Sequence, residues 1–330
     1  MKYTLTDPNG NTILSLESSP VVTEADMKAD LDKAAKACES TFDEVTKYQD
    51  AIAVMSTEGF GEQAKAVASK VWEKIKEFFI NIGKWIKHVF DIIKQKIVAI
   101  GNKINGKSIT AALQTIKNKY DAQKKTTVES ETTNVDKRSI ANVLARFSAV
   151  CKCFDDYFVD PVKVVNSISR IEDCDNFSEL SRLLVELNNY ADKIKTKANK
   201  TLDENYDVLL DHPNFDLDVY IDECISNVKK NGIEQIVNNC NSYISNLNDA
   251  MKSLTKLSNT MVELSNAELV QQNRNGLGGP NYVADTEAIK LANLKCKATN
   301  MCRSCVDDLI DIYGRLVTYA NQVLDIGAKY

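Results

Sequence analysis

The stretch Val71-Trp72-Glu73-Lys74-Ile75-Lys76-Glu77-Phe78-Phe79-Ile80-Asn81-Ile82-Gly83-Lys84-Trp85-Ile86-Lys87 decides the fold class. At the 100° per residue of an α-helix, its large apolar side chains gather on one stripe. The stripe extends in both directions: Ala64, Val71, Trp72, Ile75, Phe78, Phe79, Ile82, Trp85, Ile86, Val89, Phe90, Ile93, Ile97 and Ile100 share it. Lys70, Lys76, Lys84, Lys87 and Lys94 lie outside it, and Lys96 is the one intruder. Two faces of opposite chemistry over residues 62–100 predict a long amphipathic helix.

The flanking sequence extends the same reading. The chain has 330 residues, 44% hydrophobic and 26% charged, which suffices for a sizeable core and argues against wholesale disorder. With only 12 Gly and 5 Pro, turn-dense β architectures and glycine-rich nucleotide loops are excluded. A helix is expected from Thr23 to about Met55, broken by the segment Ser56 to Gly61, and a shorter one capped by Ser108 to about Tyr120. Further on, three sets of positions recur at helical spacing. They are Leu144, Phe147, Cys151 and Phe154; then Leu180, Leu183, Leu184, Leu187 and Ala191; then Ile233, Ile236, Cys240, Tyr243, Leu247, Met251, Leu254, Leu257, Met261 and Leu264. A last helix, from about Asp285 to Ile326, turns Cys302, Leu309, Tyr313, Leu316 and Val323 inward. Only at the start does the period change: Tyr3 to Leu16 alternates around Asp7-Pro8-Asn9-Gly10, a hairpin signal. The expected fold is mainly α, an elongated antiparallel helical bundle with a small N-terminal β-hairpin.

Charge divides the chain into three parts. Residues 1–58 carry −6, residues 59–125 carry +9 and residues 126–330 carry −8. With the polar run Lys124 to Asn134 read as a linker, this gives an acidic hairpin-plus-helix, a basic amphipathic segment and a helical bundle domain. The start of the chain lacks the pattern of a secretory signal, and no run approaches the ~20 apolar residues of a spanning helix. Nine cysteines, an odd number mostly in helical patterns, read as reduced thiols.

Reactive chemistry is sparse. His88 falls on the lysine face and His212 beside Asp211 and Pro213, both read as solvated. Cys302-x-x-Cys305 matches half a zinc or redox motif, but three residues apart on a helix is also the spacing of two core positions. Asp155-Asp156 and Asp307-Asp308 read as solvated acidic pairs. No GxGxxG, P-loop, GxSxG or HExxH occurs, so no catalytic, cofactor or metal residue is assigned and the chain reads as non-enzymatic. Three readings of the basic amphipathic helix remain open. It could lie in an anionic bilayer interface, or neutralise phosphates on nucleic acid, in both cases through Trp72, Lys76, Phe79, Lys84, Trp85, Lys87 and Lys94. Alternatively the stripe packs into the protein's own bundle and the lysines are simply exposed.

Ser56-Thr57-Glu58 followed by Gly59, and Ser15-Leu16-Glu17 followed by Ser18, resemble the small residue–x–Glu sites at which prohead proteases of large tailed bacteriophages trim head-internal proteins. Residues 71–87 are similar in texture to the Trp/Lys-rich amphipathic helices of such internal virion proteins. The resemblance covers about residues 1–100. It implies a virion component packaged inside the head and matured by proteolysis. Its partners would be a prohead protease and other virion proteins, and its locations the host cytoplasm during assembly and then the virion interior. The acidic leader would shield the basic segment until cleavage. Two other classes compete: an α-helical pore-forming or membrane-active toxin, and a cytosolic coiled-coil scaffold or assembly chaperone.

Overall fold

The computed structural model describes residues 2–6, 12–17, 24–55, 61–93, 106–124, 131–157, 177–194, 196, 219, 222–223, 225–226, 233–275 and 286–329. Strands β1 (Lys2–Thr6) and β2 (Thr12–Glu17) pair antiparallel, with the register shifting between Leu5 and Thr6. The long helices are α1 (Glu24–Met55), α2 (Gly61–Ile92), α3 (Gly106–Lys124), α4 (Glu131–Tyr157), α5 (Phe177–Lys193), α6 (Ile233–Asn275) and α7 (Thr286–Lys329). The protein is mainly α. Residues 131–134, expected in a linker, already belong to α4.

Helix α7 is the central element, packing against α1, α2, α3, α4 and α5, while α2 is held between α1 and α6. Its first turn holds Glu287 and its last turn Lys329, signs that complement the helix dipole. A single cluster of buried side chains draws on α1 through α7 and so joins all three charge segments. The inward face of α2 supplies many of its largest side chains: Trp72, Ile75, Phe78, Phe79, Ile82 and Trp85 are all buried. At ~1.5–3 kcal/mol for each large apolar side chain removed from water, this stripe alone explains why α2 sits inside.

Helices α1 and α2 form an antiparallel hairpin. Phe42 meets Phe78 with ring centroids 6.0 Å apart, and Glu44 pairs with Lys74, so positions run in opposite directions along the two helices. On the other side of α2, Ser258 of α6 donates to the carbonyl of Phe79. Farther along, Phe154 of α4 lies 5.9 Å from Tyr243 of α6 and 6.4 Å from Tyr313 of α7, ring centre to ring centre.

Helix α6 departs from the expected seam at one end. Leu247, Met251, Leu254, Leu257 and Met261 are buried, but Leu264 is 41% exposed and Ser265 is buried in its place. At 3.6 residues per turn, a four-residue step from Met261 stays nearer the stripe than a three-residue step. The buried hydroxyl of Ser265 donates back to the Met261 carbonyl at 2.7 Å, so it is not left without a partner inside.

Candidate functional site

The residues expected to meet lipid or nucleic acid divide by chemistry. Trp72, Phe79 and Trp85 are buried, Lys76 is half-buried, and Lys84 and Lys87 are exposed. Lys94 lies outside the described residues. Among the described residues, then, the apolar stripe from Val71 to Ile93 is core apart from the half-buried Phe90, because α1, α6 and α7 pack over α2. The outward face alternates charge: Lys70, Lys84 and Lys87 share it with Glu73 and Glu77. Lys84 Nζ donates to Asn81 Oδ1 at 3.3 Å, and Lys74 is held between Glu44 and Glu77. Among the candidate cleavage residues, Ser56, Glu58, Gly59 and Ser18 lie outside the described residues, while Ser15 and Glu17 are positions of β2.

Where α1, α2 and α7 meet, the core contains a polar cluster that the sequence did not single out. Arg303 of α7, with only 5% of its side chain exposed, donates through Nη2 to Glu39 Oε1 of α1 and through Nη1 to Asp307 Oδ2, both at 2.8 Å. Its Nε reaches Asn300 Oδ1 at 3.1 Å. The other oxygen of Asp307, Oδ1, accepts the indole N–H of Trp85 at 2.9 Å. One guanidinium therefore ties two helices together, and one carboxylate ties α7 to the aromatic stripe of α2. A planar fork with several donors suits this bridging role better than an ammonium would.

The expectation that Asp307 is solvated is corrected by this geometry. Its side chain keeps 26% of its surface accessible, yet burial pushes the carboxyl up to about 7. The Arg303 charge and the Trp85 N–H oppose that rise, while the carboxylates of Asp308 and Asp32 add to it. Beside the cluster, the thiol of Cys38 is pushed up to about 12, chiefly by burial, so it is neutral and unreactive near pH 7. Trp85 was placed on the apolar stripe by periodicity alone; its polar edge gives it a second role.

The remaining candidates are structural. Cys302 and Cys305 are both fully buried on the inward side of α7, and burial raises the Cys302 thiol well above its ordinary range. Cys151 and Cys153 are buried as well. Among the described residues, no group of three or more His, Cys, Asp or Glu side chains is placed to hold a metal ion, and no helix is long and apolar enough to cross a membrane. His88 is half-buried, and His212 lies outside the described residues. What the polar cluster can do is hold or release a proton and fasten one helix to two others. Compared with known proteins, the chain matches no family model, no curated protein and no solved structure.

Proposed function

We propose that this chain is a non-enzymatic structural protein packaged inside the head of a tailed bacteriophage. In this reading it is built as an elongated antiparallel helical bundle with an N-terminal β-hairpin, and is matured by removal of residues 1–58. The observation that supports the reading is the position of α1. This acidic leader helix lies over the aromatic stripe of the basic α2, fastened by Glu44 to Lys74 and by Glu39 to Arg303. Ser56-Thr57-Glu58 falls in the short segment between the two helices, so a cut after Glu58 separates cover from covered. Loss of α1 would uncover Phe78 and leave Arg303 with Asp307 as its carboxylate partner, opening apolar and basic surface together for DNA or an anionic membrane. Mass spectrometry of the native protein is then expected to find a terminal peptide beginning at Gly59. An intact Met1 terminus on every copy overturns the processing.

Burial of both indoles favours a second reading, a scaffold or assembly chaperone with no lipid or DNA role. Tryptophan emission separates the two. On the first reading the chain cleaved after Glu58 responds to anionic vesicles or to DNA at low salt, and the intact chain does not. A stable oligomer indifferent to both, before and after cleavage, supports the scaffold.

A further inference from the structure

We infer that docking of α1 onto the helical body takes up a proton at the Glu39–Arg303–Asp307 cluster, so that α1 is held more tightly in mild acid than in mild alkali. This inference concerns the folded chain itself and stands whether or not residues 1–58 are ever removed.

The argument begins with the balance of charge. The groups facing Asp307 are Arg303 and Asp308 on its own helix, Asp32 with the nearby Glu39 and Cys38 on α1, and the neutral indole of Trp85 on α2. Arg303 is the cation among them, and it is shared between two carboxylates on different helices. Glu39, 58% exposed, accepts from that guanidinium at 2.8 Å. An ionised Asp307 would then leave the site with an excess of negative charge. Docked α1 acts on Asp307 in two ways with one sign: it brings Asp32 close, and it competes through Glu39 for Arg303. With α1 undocked, both effects disappear and Asp307 keeps Arg303 for itself.

Proton affinity at the cluster is therefore higher with α1 docked, and linkage fixes the direction of the pH effect. Asp307 rises on burial from 3.8 to about 7. A group raised in the docked state favours docking below its undocked value, and that advantage is lost as pH rises through the docked value. The rise from 3.8 to about 7 belongs to the whole fold and α1 supplies a share of it, so the docking equilibrium weakens by at most about thirtyfold between pH 5.5 and 8. Helix α1 is also the element suited to respond. Of its described side chains only Leu31, Cys38, Thr41 and Val45 are buried, so it opens at lower cost than α7.

Hydrogen exchange of the full-length chain, read by mass spectrometry between pH 5.5 and 8 and corrected for intrinsic exchange rates, tests this. Peptides from α1 should lose protection progressively across the range, by up to about thirtyfold, while peptides from α6 stay level. Asp307→Asn should flatten the α1 profile. Glu39→Gln, a change at an exposed carboxylate, should make it shallower while leaving α6 unaffected. A flat α1 profile in the native chain overturns the inference. So does an unchanged slope in both variants, or loss of protection in α1 and α6 together.

Discussion

Near its end, α7 crosses α3 at a glycine, and that crossing offers a demanding test of the packing. A Cβ on Gly327 would stand 2.6 Å from Cβ and 2.9 Å from Cα of Ala112, where ordinary contact begins at 3.4 Å. The second of these is a backbone atom, so no side-chain rotation relieves it; the two helices must part by roughly 0.8 Å or the terminal turn must shift. Parting them loosens Ile109, Leu113 and Ile116 of α3, all buried, and forfeits a quarter to a half of each affected contact. Overpacking of this kind costs about 1–3 kcal/mol, against a helix-propensity gain of at most about 1 kcal/mol. Gly327→Ala should therefore destabilise the protein by about 1–2 kcal/mol. Gly314 of the same helix is the control. A Cβ there meets nothing within 4 Å, so Gly314→Ala should stabilise by about 0.5–1 kcal/mol. Urea denaturation followed by helical circular dichroism reads both. If Gly327→Ala proves as stable as Gly314→Ala, α3 and α7 do not approach as closely as described and the reasoning fails.

Arg303→Met should cost about 3 kcal/mol or more at pH 8, because it leaves the Asp307 carboxylate without its cation. Adding Asp307→Asn should recover much of that loss, since the amide oxygen still accepts from Trp85 and no charge is buried; equal instability of the single and double variants in urea titrations would contradict this. The buried thiols of Cys38, Cys296, Cys302 and Cys305 should react with alkylating reagents at pH 8 only as fast as the chain unfolds, because burial raises the thiols of Cys38, Cys296 and Cys302 and shields all four. Peptide-resolved labelling checks this, and rapid modification of Cys302 in the native protein would refute it.

Most of the helical pattern was legible because few breakers interrupt the period and most inward positions carry an unambiguous apolar residue. The stripe of α2 is the clearest case, and Leu144, Phe147, Cys151 and Phe154 of α4 are another: all four are buried. Periodicity does not say what covers a stripe, however. Whether Trp72 and Trp85 face lipid, nucleic acid or a neighbouring helix depends on contacts more than 200 positions away, such as the one between Trp85 and Asp307. The seam of α6 was misjudged at Leu264 because a three-residue step and a four-residue step both fit a hydrophobic count, and the inward residue proved to be a serine. Asp307 was misjudged for a related reason: an acidic residue beside another acid looks solvated until its partners are known. One local signal was present. Arg303 and Asp307 are spaced i, i+4 and lie immediately beside the inward positions Cys302 and Val306, which is where a charged pair can be drawn under a covering helix.

The two helices of the N-terminal hairpin contribute unequally to their shared interface. From α2 come the fully buried Trp72, Phe78 and Trp85; α1 answers with Leu31, Cys38, Thr41 and Val45 buried and with Met27, Ala34, Ala35, Phe42 and Tyr48 only partly buried against the core. Thr41 turns its hydroxyl back to the carbonyls of Ala37 and Cys38, and Thr46 to that of Phe42, bonds that do nothing to hold α1 to its neighbours. Two polar bridges, Glu39 to Arg303 and Glu44 to Lys74, and the ring of Phe42 add to this apolar contact in holding α1 to its neighbours. A helix attached in this way shields a large aromatic surface while retaining a low opening cost. That combination is what a detachable cover requires, and it is the reason the proton at Asp307 can act on α1 without unfolding the core beneath it.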